Sequence, residues 1–344
     1  MAQRHEMVSG GMTFATVNGV GRAAIARKGL RRTRKGLSVI ELCAGGGGAA
    51  LGLEAAGFSP LALLDIDPHC CATLRHNRPY WNVIEADLRR FNPDYWAGAD
   101  LISAGLPCPP FSIAGKQHGA KDERDMFPHM LRIVAKLKPR AVLVENVRGL
   151  LGSRFAPYRE QIDKSLGKLG FDSHWAMFDA ANFGAPQTRT RVFLIALRRG
   201  ETAPLNWPLP MADKTPTVGE AIGDLMGARG WKRAAKWAEG ANTIAPTIVG
   251  GSRKHGGPDL GPTRARKLWA TLGVDGLGLA NEPPPPGFRG KPRLTVPMVA
   301  RLQTFPDDWQ FIGSKTNAYR QVGNALPVSL AASIAKVIRK CLRG

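Results

Sequence analysis

Between residues 38 and 197, short apolar runs alternate with amphipathic stretches, and this alternation limits the fold more than any other feature of the chain. Strands are expected over 38–42, 61–64, 83–84, 100–104, 141–145, 175–178 and 191–197. Helices are expected from Gly48 through Glu54, near 71–77, and over 126–137 and 159–169. Apolar strands separated by helices mean an α/β fold, with a mostly parallel, doubly wound sheet covered on both faces. Ligands of such sheets lie at the carboxyl ends of the strands.

The alternation stops near residue 198. Up to residue 293 the chain carries Pro204, Pro208, Pro210, Pro216 and Pro246, glycine pairs, and the run Pro283-Pro284-Pro285-Pro286. A small, loop-rich second domain is expected there. Helical patterns return over 295–303 and 327–342, so residues 294–344 should rejoin and complete the domain begun at 37–197. Residues 1–36 are rich in Gly, Arg and Lys without apolar periodicity and read as a basic, flexible arm. Met7 and Met12 offer alternative starts, and the acid-poor, Arg-rich composition has a faint likeness to an organelle transit peptide.

The formal net charge is +21, which favours a polyanionic partner, most simply nucleic acid. Its distribution sharpens this. The 37–197 stretch is nearly balanced at +2, whereas 1–36, 198–293 and 294–344 carry +7, +7 and +5. A neutral ligand-binding half flanked by cationic parts is the pattern expected of a protein that grips DNA. Five cysteines with no CxxC spacing (Cys43, Cys70, Cys71, Cys108, Cys341) argue against a disulfide framework or a zinc site and for a reducing, cytoplasmic setting. No apolar run approaches the ~20 residues of a membrane span, and the N-terminus lacks the compact apolar core of a secretory signal.

Candidate site residues fall at the strand ends. Cys43-Ala44-Gly45-Gly46-Gly47-Gly48 joins a strand to a helix, where glycines let the backbone approach a ligand closely. It does not match the dinucleotide fingerprint GxGxxG, because Leu51 stands where the last glycine would. Asp65, about 20 residues on, is placed to accept ribose hydroxyls, and Asp87 can accept from an adenine amine. Ribose and adenine acceptors without a phosphate-cradling lysine fit S-adenosylmethionine as readily as a dinucleotide. Either acid could instead simply cap the helix that follows it.

Cys108 lies in Gly105-Leu106-Pro107-Cys108-Pro109-Pro110-Phe111-Ser112, where three prolines exclude a helix and hold the thiol in a loop. With an ordinary thiol value near ~8.5, only a small fraction is thiolate at neutral pH. Positive charge from Arg189 or Arg191 would raise that fraction. Glu145 closes an apolar strand, and desolvation there favours its protonated form, while a salt bridge to a neighbour such as Arg148 is the alternative. Gln187-Thr188-Arg189-Thr190-Arg191 has period two, so Gln187, Arg189 and Arg191 should share one face. A row of guanidinium groups suits a phosphate or an oxygen-rich base.

Taken together these blocks resemble the bacterial DNA (cytosine-5)-methyltransferases, in the family's own order. Glu41-Leu42-Cys43-Ala44-Gly45-Gly46-Gly47-Gly48 resembles its first S-adenosylmethionine motif, and Gly105-Leu106-Pro107-Cys108 with Phe111-Ser112 its nucleophile motif. Glu145-Asn146-Val147 is identical to its ENV tripeptide, and Gln187-x-Arg189-x-Arg191 matches its QxRxR block. Arg293-Leu294-Thr295 through Phe305-Pro306 and Gln321-Val322-Gly323-Asn324-Ala325 resemble its last two blocks. The likeness spans residues 38 to about 340, apart from 198–292. Two positions depart from the pattern: Cys43 replaces a usual aromatic that packs on the cofactor, and Pro109 replaces a usual glutamine.

The resemblance implies a Rossmann-like S-adenosylmethionine-dependent domain with a target recognition domain over 198–293. It implies methyl transfer to C5 of a flipped-out cytosine in a specific duplex sequence, as the modification half of a restriction system. The catalytic residues would be Cys108, Glu145, Arg189 and Arg191. Cys43, Ala44, Gly45, Gly47, Gly48, Asp65, Ile66, Asp87, Leu88, Pro107, Asn324 and Ala325 would bind S-adenosyl-L-methionine. Ser112, Lys116, Gln117, Arg253, Lys254, Arg264 and Arg266 would contact DNA. Double-stranded DNA is the expected partner of a monomer, with a cognate endonuclease acting on the same site and no metal. A tRNA cytosine-5 methyltransferase of the same family is the alternative, although its Cys-Phe-Thr signature is missing. A catalytically silent DNA-binding protein is a further alternative, against which Cys108 and Glu145 argue.

Overall fold

The computed structural model describes residues 36–107, 125–211, 215–250 and 258–343. Along the chain run β1 (Leu37–Leu42), α1 (Gly48–Ala55), β2 (Phe58–Asp65), α2 (Pro68–Asn77), β3 (Val83–Glu85), β4 (Leu101–Gly105) and α3 (Phe127–Leu137). They are followed by β5 (Ala141–Val147), α4 (Ala156–Lys168), β6 (Phe171–Asp179), β7 (Thr190–Arg198), α5 (Val218–Gly227), α6 (Ala234–Gly240) and α7 (Thr263–Thr271). The C-terminal part adds α8 (Val296–Leu302), α9 (Lys315–Asn324) and α10 (Val328–Arg343).

The seven strands form one sheet in the order β3-β2-β1-β4-β5-β7-β6. All neighbouring pairs from β3 to β5 are parallel, whereas β7 runs antiparallel to both β5 and β6. The strand order turns between β1 and β4, so the carboxyl ends of these two strands flank the crevice where a doubly wound sheet takes its ligand. The reversal of β7 brings its first residues to the same rim as the last residues of β5, in the register Val147↔Arg191 and Glu145↔Phe193.

Period two sorts the buried side chains between two layers. Ile40, Leu42, Ile102, Ala104, Val142, Val144, Leu194 and Ala196 pack with α3 and α4. Val39, Leu101, Ala141, Leu143, Phe193, Ile195 and Leu197 pack with α1 and α10. Both faces of each central strand are covered, which is why these segments read as continuous apolar runs. α1 and α10 meet through small residues: a Cβ on Gly52 would lie 2.4 Å from the Cβ of Ala331.

A third buried cluster belongs to the C-terminal half. Val218, Ile222 and Met226 of α5, Trp237 of α6 and Trp269 of α7 share it with Met298, Leu302, Tyr319 and Val322 of α8 and α9. Leu51 and Leu74 join it from α1 and α2. The three helices within 198–293 and α9 go beyond the elements expected from the sequence. The prolines of 198–293 lie outside these helices, and α5 opens on a reciprocal capping box between Thr217 and Glu220.

Candidate active site

β1 ends in a tight turn in which Cys43 and Gly45 adopt positive φ, 57° and 55°. Asp65, at the end of the neighbouring β2, holds that turn. Its Oδ2 accepts from the Gly45 amide at 2.7 Å and its Oδ1 from the Asp67 amide at 2.8 Å. Burial pushes the Asp65 carboxyl above its usual range. The acid expected to face ribose thus also braces the glycine turn, leaving lone pairs on each oxygen for a further donor.

The four glycines do different work. A Cβ on Gly45 would meet nothing within 4 Å, so this position faces open space. A Cβ on Gly47 would lie 2.7 Å from the Trp309 ring, and one on Gly48 2.1 Å from the Leu326 carbonyl oxygen. Trp309 Nε1 also donates to the Gly46 carbonyl at 3.1 Å. Gly47 and Gly48, expected at the cofactor, are therefore required first by the packing of α1 against the C-terminal segment.

Beyond Asp65 the apolar side chain of Ile66 is 61% exposed on the same rim. Asp87, at the adjoining position after β3, accepts from Arg89 Nε at 3.0 and 2.9 Å and from the Arg89 amide at 2.9 Å. The Arg89 guanidinium holds the Asp87 carboxyl down at about 2. Leu88, expected beside the cofactor, instead buries its side chain in the layer under α3. Ala44 is buried, its amide bonded to the Leu64 carbonyl at 3.0 Å. Ala325 packs toward Gly48, while Asn324, the last residue of α9, is exposed.

Glu41, given no role of its own in the sequence, is the penultimate residue of β1 and a buried carboxyl, 3% exposed. Burial, with repulsion from Asp65, pushes it up to about 8. Burial also raises the Cys43 thiol, with Asp65, Asp87 and Glu41 adding to the effect. Glu41 and Asp65 are thus two interacting carboxyls in a poorly solvated place at the end of β1 and β2. An open glycine turn, a carboxylate with spare acceptor capacity and an exposed apolar side chain together fit a nucleoside such as that of S-adenosylmethionine.

On the other side of the crevice, β4 pairs with β5 in the register Gly105↔Glu145. Asn146 is buried, and its Nδ2 donates to the Leu106 carbonyl at 3.4 Å while its Oδ1 accepts from the Val147 amide at 2.9 Å. This bond fixes the path of the chain up to the exposed Pro107. Cys108 follows directly but lies outside the described residues, as do Ser112, Lys116, Gln117, Arg253, Lys254 and the arm 1–35. The chain re-enters at Asp125, whose carboxylate accepts from the Phe127 amide at 3.0 Å and from the Tyr158 hydroxyl.

Glu145 has an ionic partner, and it is Arg191 rather than Arg148: Arg191 Nε lies 2.8 Å from Glu145 Oε1, and both side chains are mostly buried. Odd-numbered residues of β5 and β7 share a face, which makes the two diagonal neighbours on it.

The expected row of guanidinium groups does not form. Arg189 is buried, donating from Nη1 to the Ile248 carbonyl at 2.7 Å and from Nη2 to the Gly323 carbonyl at 2.9 Å. Gln187 is buried as well. Its Nε2 donates to the Leu302 carbonyl at 3.0 Å and to Gln303 Oε1 at 2.8 Å, and its Oε1 accepts from the Ile248 amide at 3.3 Å. Residues 186–189 precede β7 and lie alongside Ala245, with the Thr188 amide bonded to the Ala245 carbonyl at 2.9 Å, so later chain covers them. Of the three residues only Arg191 reaches Glu145. Asp179 sets this start of β7 by accepting from the Arg189 amide at 3.0 Å and the Thr190 hydroxyl at 2.9 Å. A lone acid closing a strand before a turn was the one signal that could have flagged it.

Arg264 and Arg266 lie on α7, where Arg264 is exposed and Arg266 bonds Thr263 Oγ1 at 3.2 Å. Arg266, Lys267, Lys291 and Asp275 line a cleft of about 490 Å³ beside that helix. Among the described residues no group of three or more His, Cys, Asp or Glu side chains could hold a metal. No helix there is long and apolar enough to cross a membrane.

The profile of the family described as C-5 cytosine-specific DNA methylase matches residues 37–255 and 280–340. The type II methyltransferase M.NaeI of Lentzea aerocolonigenes is 50% identical over 312 residues, covering 89% of this chain and 75% of that protein. M.NgoMIV of Neisseria gonorrhoeae, also a type II methyltransferase, is 46% identical over 307 residues, covering 88% and 97%. Among solved structures, the S. pombe Dnmt2 methyltransferase superposes with a TM-score of 0.59 at 17% identity, over 88% of this chain and 97% of that one. At that identity the likeness is one of fold.

Proposed function

The chain belongs to the C-5 cytosine-specific DNA methylases, and from that premise we infer that it transfers a methyl group from S-adenosylmethionine to C5 of a cytosine within a specific short duplex sequence, as the modification enzyme of a restriction system. The observation that best supports this reading is the Glu145–Arg191 pair at the carboxyl rim, beside Gly105 and so three residues in sequence from Cys108.

In this reading the Cys108 thiolate adds to C6 of a cytosine rotated out of the stack, at a cost of a few kcal/mol. Glu145 hydrogen-bonds at N3 and stabilises the charge that develops on the ring, while Arg191 holds that carboxyl in place. The negative charge gathered at C5 is then quenched by formation of a carbon–carbon bond. Loss of the C5 proton to a base and cleavage of the C6–sulfur bond return the thiolate and restore the aromatic ring. S-adenosylmethionine, when bound, would supply the electrophilic methyl group, the electron pair of the broken methyl–sulfur bond staying on sulfur so that S-adenosylhomocysteine is the leaving group. Gly45, Asp65, Ile66, Asp87, Pro107 and Asn324 are the residues that would hold it.

Residues 198–293, with their net charge of +7, would read the target, with Arg264 and Arg266 as phosphate anchors. Duplex DNA is the partner, the enzyme acts as a monomer in the cytoplasm, and an endonuclease of the same specificity would cut unmodified sites. Labelled S-adenosylmethionine supplied with unmethylated duplex DNA, with tRNA in parallel, tests the reading. Label recovered as 5-methylcytosine in DNA and lost in Cys108→Ser is the expected result. Label on tRNA alone, or on neither, would overturn it.

A further inference from the structure

The buried ends of two chain segments are tied together by side chains that do not face the reaction. Ile248 is gripped on both main-chain groups, its amide by Gln187 and its carbonyl by Arg189. The last turn of α9 is gripped at two successive carbonyls: Val322 accepts from Gln303 Nε2 at 2.9 Å and Gly323 accepts from Arg189. One guanidinium thus bridges the chain leading to Gly250 and the chain leading to Asn324.

Between those segments the two backbones touch. A Cβ on Gly323 would lie 2.4 Å from the Cα of Gly250. A Cβ on Gly250 would lie 2.6 Å from the Arg320 carbonyl oxygen and 2.7 Å from Asn324 Oδ1. Glycine at both positions is what permits so close an approach. The side chain of Asn324 is therefore in direct contact with the backbone of the 198–293 region, and no flexible side chain separates them.

We propose that Arg189 is a positioning residue that locks this Gly250–Gly323 contact, so that occupancy of the DNA-reading region and occupancy of the cofactor crevice at Asn324 are energetically linked through it. The proposal rests on the functional reading above. Arg189 is buried and donates to one carbonyl of each segment, so it acts through the segments it joins. A shift of the 245–250 segment when DNA binds moves Gly250 against Asn324 and is felt in the crevice. By reciprocity, a ligand seated against Asn324 biases the same segment.

The test is a binding cycle that needs no turnover. The affinity of the non-reactive analogue sinefungin is measured with and without saturating unmethylated plasmid DNA, in wild type, Arg189→Lys and Gly250→Ala. Wild type should show at least about a fivefold change in affinity, the lower end of ordinary coupling. In the variants the ratio should fall to within about twofold of one, with normal circular dichroism. A wild-type ratio near one, or a folded variant that keeps the wild-type ratio, overturns the proposal. Should both variants misfold, hydrogen exchange on wild type decides: DNA should change the protection of residues 322–326, and no change there overturns the proposal. Wild type that methylates DNA yet shows no linkage would sink this inference alone, whereas wild type that transfers no methyl group would sink the functional reading.

Discussion

Arg191 reaches Glu145 across the sheet because β5 and β7 run in opposite directions, so that the end of one and the start of the other share a rim, with Nε and Oε1 2.8 Å apart. Removing the cation leaves a mostly buried carboxylate without its partner, which is more costly than removing both. Arg191→Ala should lower kcat by about 10²-fold, in the range of a positioned acid–base group, with a smaller effect on KM for S-adenosylmethionine. Arg191→Lys should recover part of it. Steady-state methyl transfer decides; a kcat within threefold of wild type in Arg191→Ala would remove this pair from the mechanism.

Asp65 should matter to the cofactor through the turn it holds. An asparagine offers one acceptor oxygen where the carboxylate gives two to the Gly45 and Asp67 amides, and it turns an N–H toward the other amide. Asp65→Asn should therefore weaken sinefungin binding by about tenfold or more, consistent with one buried donor left unmet. Calorimetric titration measures it directly. Unchanged affinity would confine Asp65 to a helix-cap-like role.

Glu41 gives the protein a pH dependence that can be isolated. Its folded-state value is raised to about 8, against ~4.3 in an unfolded chain. The folded state then keeps a proton that the unfolded state releases. The group's contribution to stability is complete below about pH 4 and is lost as pH rises toward 8. Glu41→Gln cannot ionise, so its melting temperature relative to wild type should climb between pH 5 and pH 8.5. A difference that stays flat over that interval would mean that Glu41 is not the group responsible.

The α1–α10 contact predicts a packing cost. A methyl on Gly52 would overlap the Cβ of Ala331 at 2.4 Å. Gly52→Ala should destabilise the fold by about 1–3 kcal/mol, the usual range for overpacking, despite alanine's better helix propensity. Urea denaturation gives the number, and a more stable variant would show that the two helices can separate freely.

Most of the sheet was legible because its strands are buried on both faces and read as apolar runs, and because Asp65, Glu145 and the glycine turn lie where polar residues interrupt those runs. β2 and β6 begin earlier than expected since Phe58 and Phe171 enter the sheet beside turn-like neighbours. What the sequence could not reveal is pairing at long range. Period two put Gln187, Arg189 and Arg191 on one face, but without the β5–β7 pairing it could not tell that Arg191 meets Glu145. It said nothing of the later segment, bridged to Gln187 through Ala245, that covers Gln187 and Arg189 and makes ties of them. The helices of 198–293 were hidden by the prolines around them, and α9 by its polar composition. Glu41 looked like part of a motif until its burial gave it a chemistry of its own.

The contact between Gly250 and Gly323 also limits how this enzyme can be re-engineered. Specificity is commonly sought by transplanting the variable stretch of one enzyme into the frame of another. Here the transplant has a seam that admits no side chain: a donor segment bearing alanine or anything larger at position 250 meets the Arg320 carbonyl and Asn324 before it meets any DNA. Swaps that bring a glycine at this join should give active hybrids, while others should assemble with a disturbed crevice, whatever sequence they were chosen to read.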